Sequence, residues 1–314
     1  MPVRIVFFGN SLSTFSAKFF SALLQELCDL VAVVDVPPSL QATTNPLAPG
    51  LVNFSATARE RQIPCFQPSN PNTQPFAMQL AVLKADLFVA AGYPVILKES
   101  LLSLPTMLPV NFHASLLPEY RGKHPVFWAL RDRERWSGMT LHVIDPGIDT
   151  GDIIYQVKIR TRRSDSVATL YERIIQNSLH LVGRLIADAE RGRIPHQPQP
   201  REAGSYYSST SEEDFHLDWR WPAEKLVRFI TITPGKCFQL IRGKKVYFSN
   251  AKQEPGQTPS TPGTLLKVRN EYASVATGLG IFSSSAVRTD AGEPVSFALF
   301  CRQEGLAPGD NLCG

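Results

Sequence analysis

A chain of 314 residues is long enough for about two domains, at roughly 150 residues each. Its 43% hydrophobic and 19% charged content excludes a disordered chain, and no apolar run reaches the roughly 18–20 residues of a membrane span. The net charge of +4 does not by itself imply a nucleic-acid partner, and the five scattered cysteines without a C-x-x-C pair argue against a disulfide framework or structural zinc.

The N-terminus, MPVRIVFFGN, lacks the apolar core and cleavage site of a signal peptide, so a cytoplasmic protein is expected. Residues 4–8 read as a strand ending at Gly9, with Ser11, Ser13 or Thr14 placed to cap a helix. Phe15, Phe19, Leu23 and Leu27 recur at helical spacing and give that helix one buried face. Residues 30–35 form a second buried strand, followed by a turn-rich stretch over 36–50. Helices are expected over 52–62 and 75–84, and strands over 64–67, 87–91 and 110–113. Strands over 139–144 and 153–159 are joined tightly and so run antiparallel, and one long helix is expected over 167–191. This alternation predicts a mostly parallel, doubly wound, Rossmann-like sheet with helices on both faces.

The composition turns to Pro, Gly, Gln and Ser around 191–207, the signature of a linker. The expected organisation is therefore 1–190, a linker over 191–207, and a smaller domain over 208–314. That domain opens with a helix over 222–230. Short strands follow over 237–240, 245–249, 264–268, 273–276, 280–283 and 295–299, a spacing that suits a small β-barrel or sandwich.

There is no G-x-G-x-x-G turn, Walker-A loop, H-E-x-x-H or G-x-S-x-G elbow. One dense constellation remains, NFHASLLPEYRG followed by DPGIDTGD. Asn111 and His113 are two apart on a strand and face the same way, at the strand end where open α/β sheets place their crevices. An amide beside an imidazole suits a developing oxyanion. Asp149, in a Gly-flanked turn, can reach His113, fix its tautomer and raise its pKa by favouring imidazolium. The residues alone equally allow a structural histidine and a hairpin turn with an Asx hydrogen bond.

The two-part motif resembles the folate-dependent formyltransferase family. The match also runs through RIVFFG, SAKFFSALL, IPCFQP and ADLFVAAGY, and continues weakly through FHLDWRWPAEKLVRFI and LAPGDNL. The resemblance implies an OB-like barrel for the second domain and 10-formyltetrahydrofolate as co-substrate, with no metal. It implies catalytic roles for Asn111, His113 and Asp149. It further implies folate contacts from the signature Ser115, Leu116, Leu117 and Pro118, from Ala91, Gly92, Tyr93 and Leu97, and from Asp145.

Length and layout are nearest to family members that formylate methionyl-tRNA, with Arg121, Lys244 and Lys245 as acceptor contacts. Two departures bear on that acceptor. The 36–50 stretch, basic in such members, holds no charged residue here, and Ile232-Thr233 replaces an aromatic step before Pro234-Gly235. Against this, 219–252 carries eight Lys or Arg with Glu224 as its single acid, a pattern that fits either an RNA footprint or a solvated surface. An amino-sugar nucleotide is the rival acceptor. A non-catalytic folate- or RNA-binding protein of this fold is the rival of another class.

Overall fold

Strands β1 (Arg4–Gly9), β2 (Asp29–Val34), β3 (Cys65–Phe66), β4 (Leu87–Ala91) and β5 (Leu108–His113) build the first sheet. β1, β2 and β4 are apolar almost throughout because both of their faces are covered, as a parallel sheet between helices requires. The computed structural model describes residues 1–37, 39, 51–200, 203–290 and 292–313. Of the charge-free stretch over 36–50, residues 38 and 40–50 lie outside the described residues.

The chain divides into two units. One holds Met1–Val126, Trp136–Arg160 and Tyr171–Ser208. The other holds Phe127–Arg135, Thr161–Leu170 and Ser209–Gly314.

In the first unit, β6 (Arg121–Gly122) lies off the main sheet, and β7 (Trp136–Val143) and β8 (Ile153–Arg160) complete it. The strand order is β3-β2-β1-β4-β5-β7-β8. Pairings from β3 to β5 are parallel; β7–β8 is antiparallel, as its tight connection implied, and β5–β7 is antiparallel as well. Alternate residues of β1 feed two cores. Val6 and Phe8 join a cluster with Phe76, Leu80, Phe88 and Leu101. Phe7 faces the other way, with Phe20 at 5.5 Å and Phe54 at 5.9 Å between ring centroids.

The first helix, Thr14–Leu23, is capped by the Ser13 side chain, which accepts from the Ser16 N–H. It stops four residues short of the apolar repeat, and Leu27 stands 89% exposed. The helix expected over 167–191 is two helices, Val167–Ser178 and His180–Glu190. Strand β9 (Tyr206–Tyr207) pairs in parallel with β6.

The second unit is an antiparallel β domain. It comprises β10 (Phe238–Ile241), β11 (Lys244–Glu254), β12 (Leu265–Arg269), β13 (Tyr272–Ala276), β14 (Ile281–Thr289) and β15 (Val295–Ser296). Its order is β10-β11-β14-β13-β12, with β15 on β14. Trp219, 1% exposed, packs edge-on against Phe248 and Phe282 at its centre. The strand expected over 295–299 is cut short. The Ser296 hydroxyl accepts from the Leu299 N–H and caps a helix, Phe297–Gln303, whose Phe297, Phe300 and Cys301 turn inward.

Candidate active site

The strand order reverses between β1 and β4, because the chain winds outward from β1 to β3 and then returns to continue through β4 and β5. Such a switch point opens a crevice beyond the C-terminal strand ends. Here a cleft of about 300 Å³ is lined by Gly92–Leu97 after β4, by Asn111 and His113 at the end of β5, and by Asp145 and Asp149 from the β7–β8 connection. That volume lies at the lower end of the usual range for small-molecule sites.

Asn111, His113 and Asp149 converge. Asp149 Oδ2 lies 3.5 Å from His113 Nδ1, and its Oδ1 accepts from Asn111 Nδ2 at 3.5 Å. A fourth residue joins them. β5 pairs with β7 so that Asn111 faces His142, whose Nε2 lies 3.1 Å from Asn111 Nδ2 and 3.3 Å from Asp149 Oδ1.

Asp149 itself is left-handed, with φ at 54°, a conformation that Asp tolerates better than most residues. The Gly122 N–H donates to its Oδ2 at 2.9 Å. Gly122 has φ at +92°, and a Cβ there would stand 2.1 Å from the Tyr207 carbonyl, so the β6–β9 pairing requires glycine.

Electrostatics correct one expectation. Burial lowers the His113 pKa more than Asp149 and the Tyr120 carbonyl raise it, with His142 adding to the depression. The carboxylate favours imidazolium as expected, but the ring is 7% exposed, and loss of solvation decides the sign. For Asp149 burial also disfavours charge. The hydrogen bond from His142, the fields of both histidines and the Gly122 N–H together outweigh it and bring the carboxyl down to about 2.

Both His113 nitrogens meet protein acceptors, Asp149 at Nδ1 and the Tyr120 carbonyl at Nε2, the latter at 2.8 Å. The shorter contact assigns the proton of the neutral ring to Nε2.

Other sequence-predicted residues divide. Gly92, Tyr93, Leu97 and Asp145 line the cleft. Asp145 accepts from the Thr150 hydroxyl at 2.7 Å and from the Gly147 N–H at 3.2 Å, which shapes the loop that carries Asp149. Ser115, Leu116, Leu117, Pro118 and Ala91 do not line it. Ser115 is buried and donates to the Glu119 carbonyl. Thr140 of β7 donates to the Ser115 carbonyl and accepts from the Leu117 N–H, so this signature braces β5 against β7. Ala91 is buried, and its carbonyl accepts from the Ser16 hydroxyl.

The expected acceptor contacts are engaged elsewhere. Arg121 donates to Gln199 Oε1, Lys244 pairs with Glu304 at 2.7 Å, and Lys245 pairs with Glu212. His142 lies outside every sequence motif and comes to the site only through the β5–β7 pairing. Tyr171, also outside the motifs, lines the cleft and stacks on Phe15.

Among the described residues the buried Tyr93 hydroxyl has no hydrogen-bond partner, and burial and then Asp35 push its pKa up to about 12. Among the described residues no group of three His, Cys, Asp or Glu side chains is arranged to hold a metal ion.

Residues 3–184 match the formyl transferase family, and residues 210–305 match the formyl transferase C-terminal domain. The methionyl-tRNA formyltransferase of Stutzerimonas stutzeri is 30% identical over 312 residues, covering 98% of each chain. That of Pseudomonas putida is 30% identical over 315 residues, covering 99% of each. Among solved structures, the N-formyltransferase from Helicobacter canadensis in complex with folinic acid and dTDP-3-aminofucose superposes with a TM-score of 0.66 at 18% identity, over 92% of this chain and 100% of that one. HypX from Aquifex aeolicus in complex with tetrahydrofolic acid gives 0.64 at 19% identity, over 98% of this chain and 48% of HypX, so this chain spans about half of that protein. This chain belongs to the formyl transferase family.

Proposed function

We propose that this protein is an N-formyltransferase that moves the formyl group of 10-formyltetrahydrofolate to the amino group of methionyl-tRNA. The observation that carries the reading is the convergence of Asn111, His113 and Asp149 on one cleft at the switch point of the sheet. The donor supplies an electrophilic formyl carbon. The acceptor amine attacks it, the bond from that carbon to N10 breaks, and the proton that the amine loses ends on N10.

Asn111 offers its amide N–H to the formyl oxygen as negative charge develops there. His113 is kept neutral near pH 7 by burial, and its unprotonated Nδ1 faces Asp149, so a proton leaving the amine reaches the ring by way of that carboxylate. To donate to the oxyanion as well, Nε2 exchanges the Tyr120 carbonyl for the formyl oxygen. Asp149 stays ionised and stabilises the imidazolium that proton uptake creates.

Full-length relatives named for methionyl-tRNA support the acceptor. So does a cleft of the second unit, about 410 Å³, lined by Arg133, Arg162, Arg163 and Arg228 with Glu134 and Glu224. Arg133, Arg162 and Arg163 make no ion pair among the described residues and suit phosphate oxygens. The likeness to the sugar N-formyltransferase fold favours an amino-sugar nucleotide as second reading. Among the described residues no helix is long and apolar enough to cross a membrane, and with five free cysteines this supports a cytoplasmic site of action.

The test is turnover of 10-formyltetrahydrofolate with methionyl-tRNA, with a dTDP-amino sugar, or with no amine. Turnover that depends on methionyl-tRNA is expected. Turnover with the sugar alone would replace the acceptor, and folate binding without any turnover would leave a non-catalytic binder.

A further inference from the structure

We propose that Gln199 is a positioning residue, a clamp that fixes the backbone of the Asp149 loop; the proposal rests on the formyltransferase reading of that loop. Gln199 is 7% exposed and comes from the segment that precedes β9. Its Nε2 donates to the carbonyls of Asp149 at 2.8 Å and Gly151 at 2.7 Å. Its Oε1 accepts from Arg121 Nε at 3.2 Å and Nη2 at 2.7 Å. The residue after Arg121 is Gly122, whose N–H holds the Asp149 carboxylate. Asp149 is therefore gripped at both ends, its carbonyl by Gln199 and its carboxylate by Gly122, and Arg121 ties the two grips together.

The loop needs such a grip. Asp149 is left-handed between Gly147 and Gly151, and its immediate neighbours Ile148 and Thr150 are exposed. Gln197 anchors the register, because its backbone exchanges hydrogen bonds with Ile153 at 2.8 and 2.9 Å and sets Gln199 two residues further on. Both amide N–H groups and the oxygen of Gln199 are used, so neither an apolar residue nor an acid can replace it. A Glu keeps the Arg121 contact but sets a carboxylate against two carbonyls.

The experiment compares wild type, Gln199→Ala and Gln199→Glu by steady-state kinetics and by NMR titration of the imidazoles. The groups that face His113 are Asp149, His142 and the Tyr120 carbonyl. Both variants are expected to lower kcat by roughly 10- to 100-fold, with KM for 10-formyltetrahydrofolate within about three-fold, since a displacement of about 1 Å suffices. His113 should titrate at lower pH than in wild type, because the anion that raises its pKa moves away.

Wild-type kcat and an unchanged His113 titration in either folded variant would overturn the clamp. If Gln199→Ala does not fold, Gln199→Glu decides alone. A wild type that turns over no formyl donor would remove the enzymatic reading, while the imidazole titration would still decide whether Gln199 places the carboxylate.

Discussion

The cleft of the first unit and the basic face of the second use charge in opposite ways. In the cleft, one carboxylate is shared among two imidazoles, an amide and a backbone N–H, all partly or wholly buried, so each group sets the ionisation of the others. On the second unit, cations stand at the surface singly or in pairs with an acid, as Lys244 does with Glu304 and Lys245 with Glu212. Solvent screens such pairs, and each contributes little. A buried network is specific and fails as a unit, whereas an exposed field is additive and tolerant of loss.

The largest effect should come from breaking the network. Asn111→Ala, His113→Ala and Asp149→Asn are each expected to lower kcat by about 100- to 1,000-fold. Folate affinity should stay within a few-fold, read by direct binding. Asp149→Asn should also move the acidic limb of the pH–rate profile to lower pH, because the charge that holds up the His113 pKa is gone. Full activity in that variant would separate the carboxylate from the chemistry.

A smaller effect concerns stability towards acid. Asp149 has a folded-state value of about 2 against an ordinary 3.8, so its contribution is present above 3.8 and is lost as the pH falls towards 2. That contribution is about 2 kcal/mol. His113 acts in the same direction. Its folded-state value lies below the ordinary 6.5, so folding is favoured above 6.5 and weakened as the pH falls below it. In urea unfolding followed from pH 7 to pH 2, Asp149→Asn should lose less stability between 3.8 and 2 than wild type. Parallel curves would show that the network does not couple to folding.

The smallest effects should lie on the second unit. Removing Arg162 and Arg163 together should reduce the salt slope of tRNA binding by roughly one unit per lost phosphate contact. Removing Lys244 and Lys245 should reduce it less, because their acidic partners already neutralise them. Equal slopes for the two double variants would erase the distinction between paired and unpaired cations.

The legibility of these regions follows the same division. The parallel sheet was readable because strands buried on both faces have few ways to be polar, and Asn111 and His113 are neighbours on one strand. His142 and Gln199 were not readable. One reaches the site through antiparallel pairing of β5 with β7, and the other through a return of the linker 50 residues beyond Asp149. The direction of the His113 shift was misread because sequence reveals a carboxylate partner but not how much water the ring loses. At 295–299, β-forming residues were overridden by a serine cap and an inward face of Phe297, Phe300 and Cys301.

The discontinuous make-up of the second unit has a consequence for anyone who would dissect or graft it. Phe127 packs at a tilt against Phe215 at 5.3 Å and approaches Phe229 at 6.3 Å between ring centroids, and Arg131 pairs with Asp214 at 3.1 Å. Arg228 donates to the carbonyls of Arg163 and Asp165. A fragment that begins at Ser209 therefore leaves behind two of its own packing elements, Phe127–Arg135 and Thr161–Leu170, and bares the aromatic surface that they cover. A chimera joined only at the linker leaves those two segments with the other parent and inherits a mismatched aromatic seam.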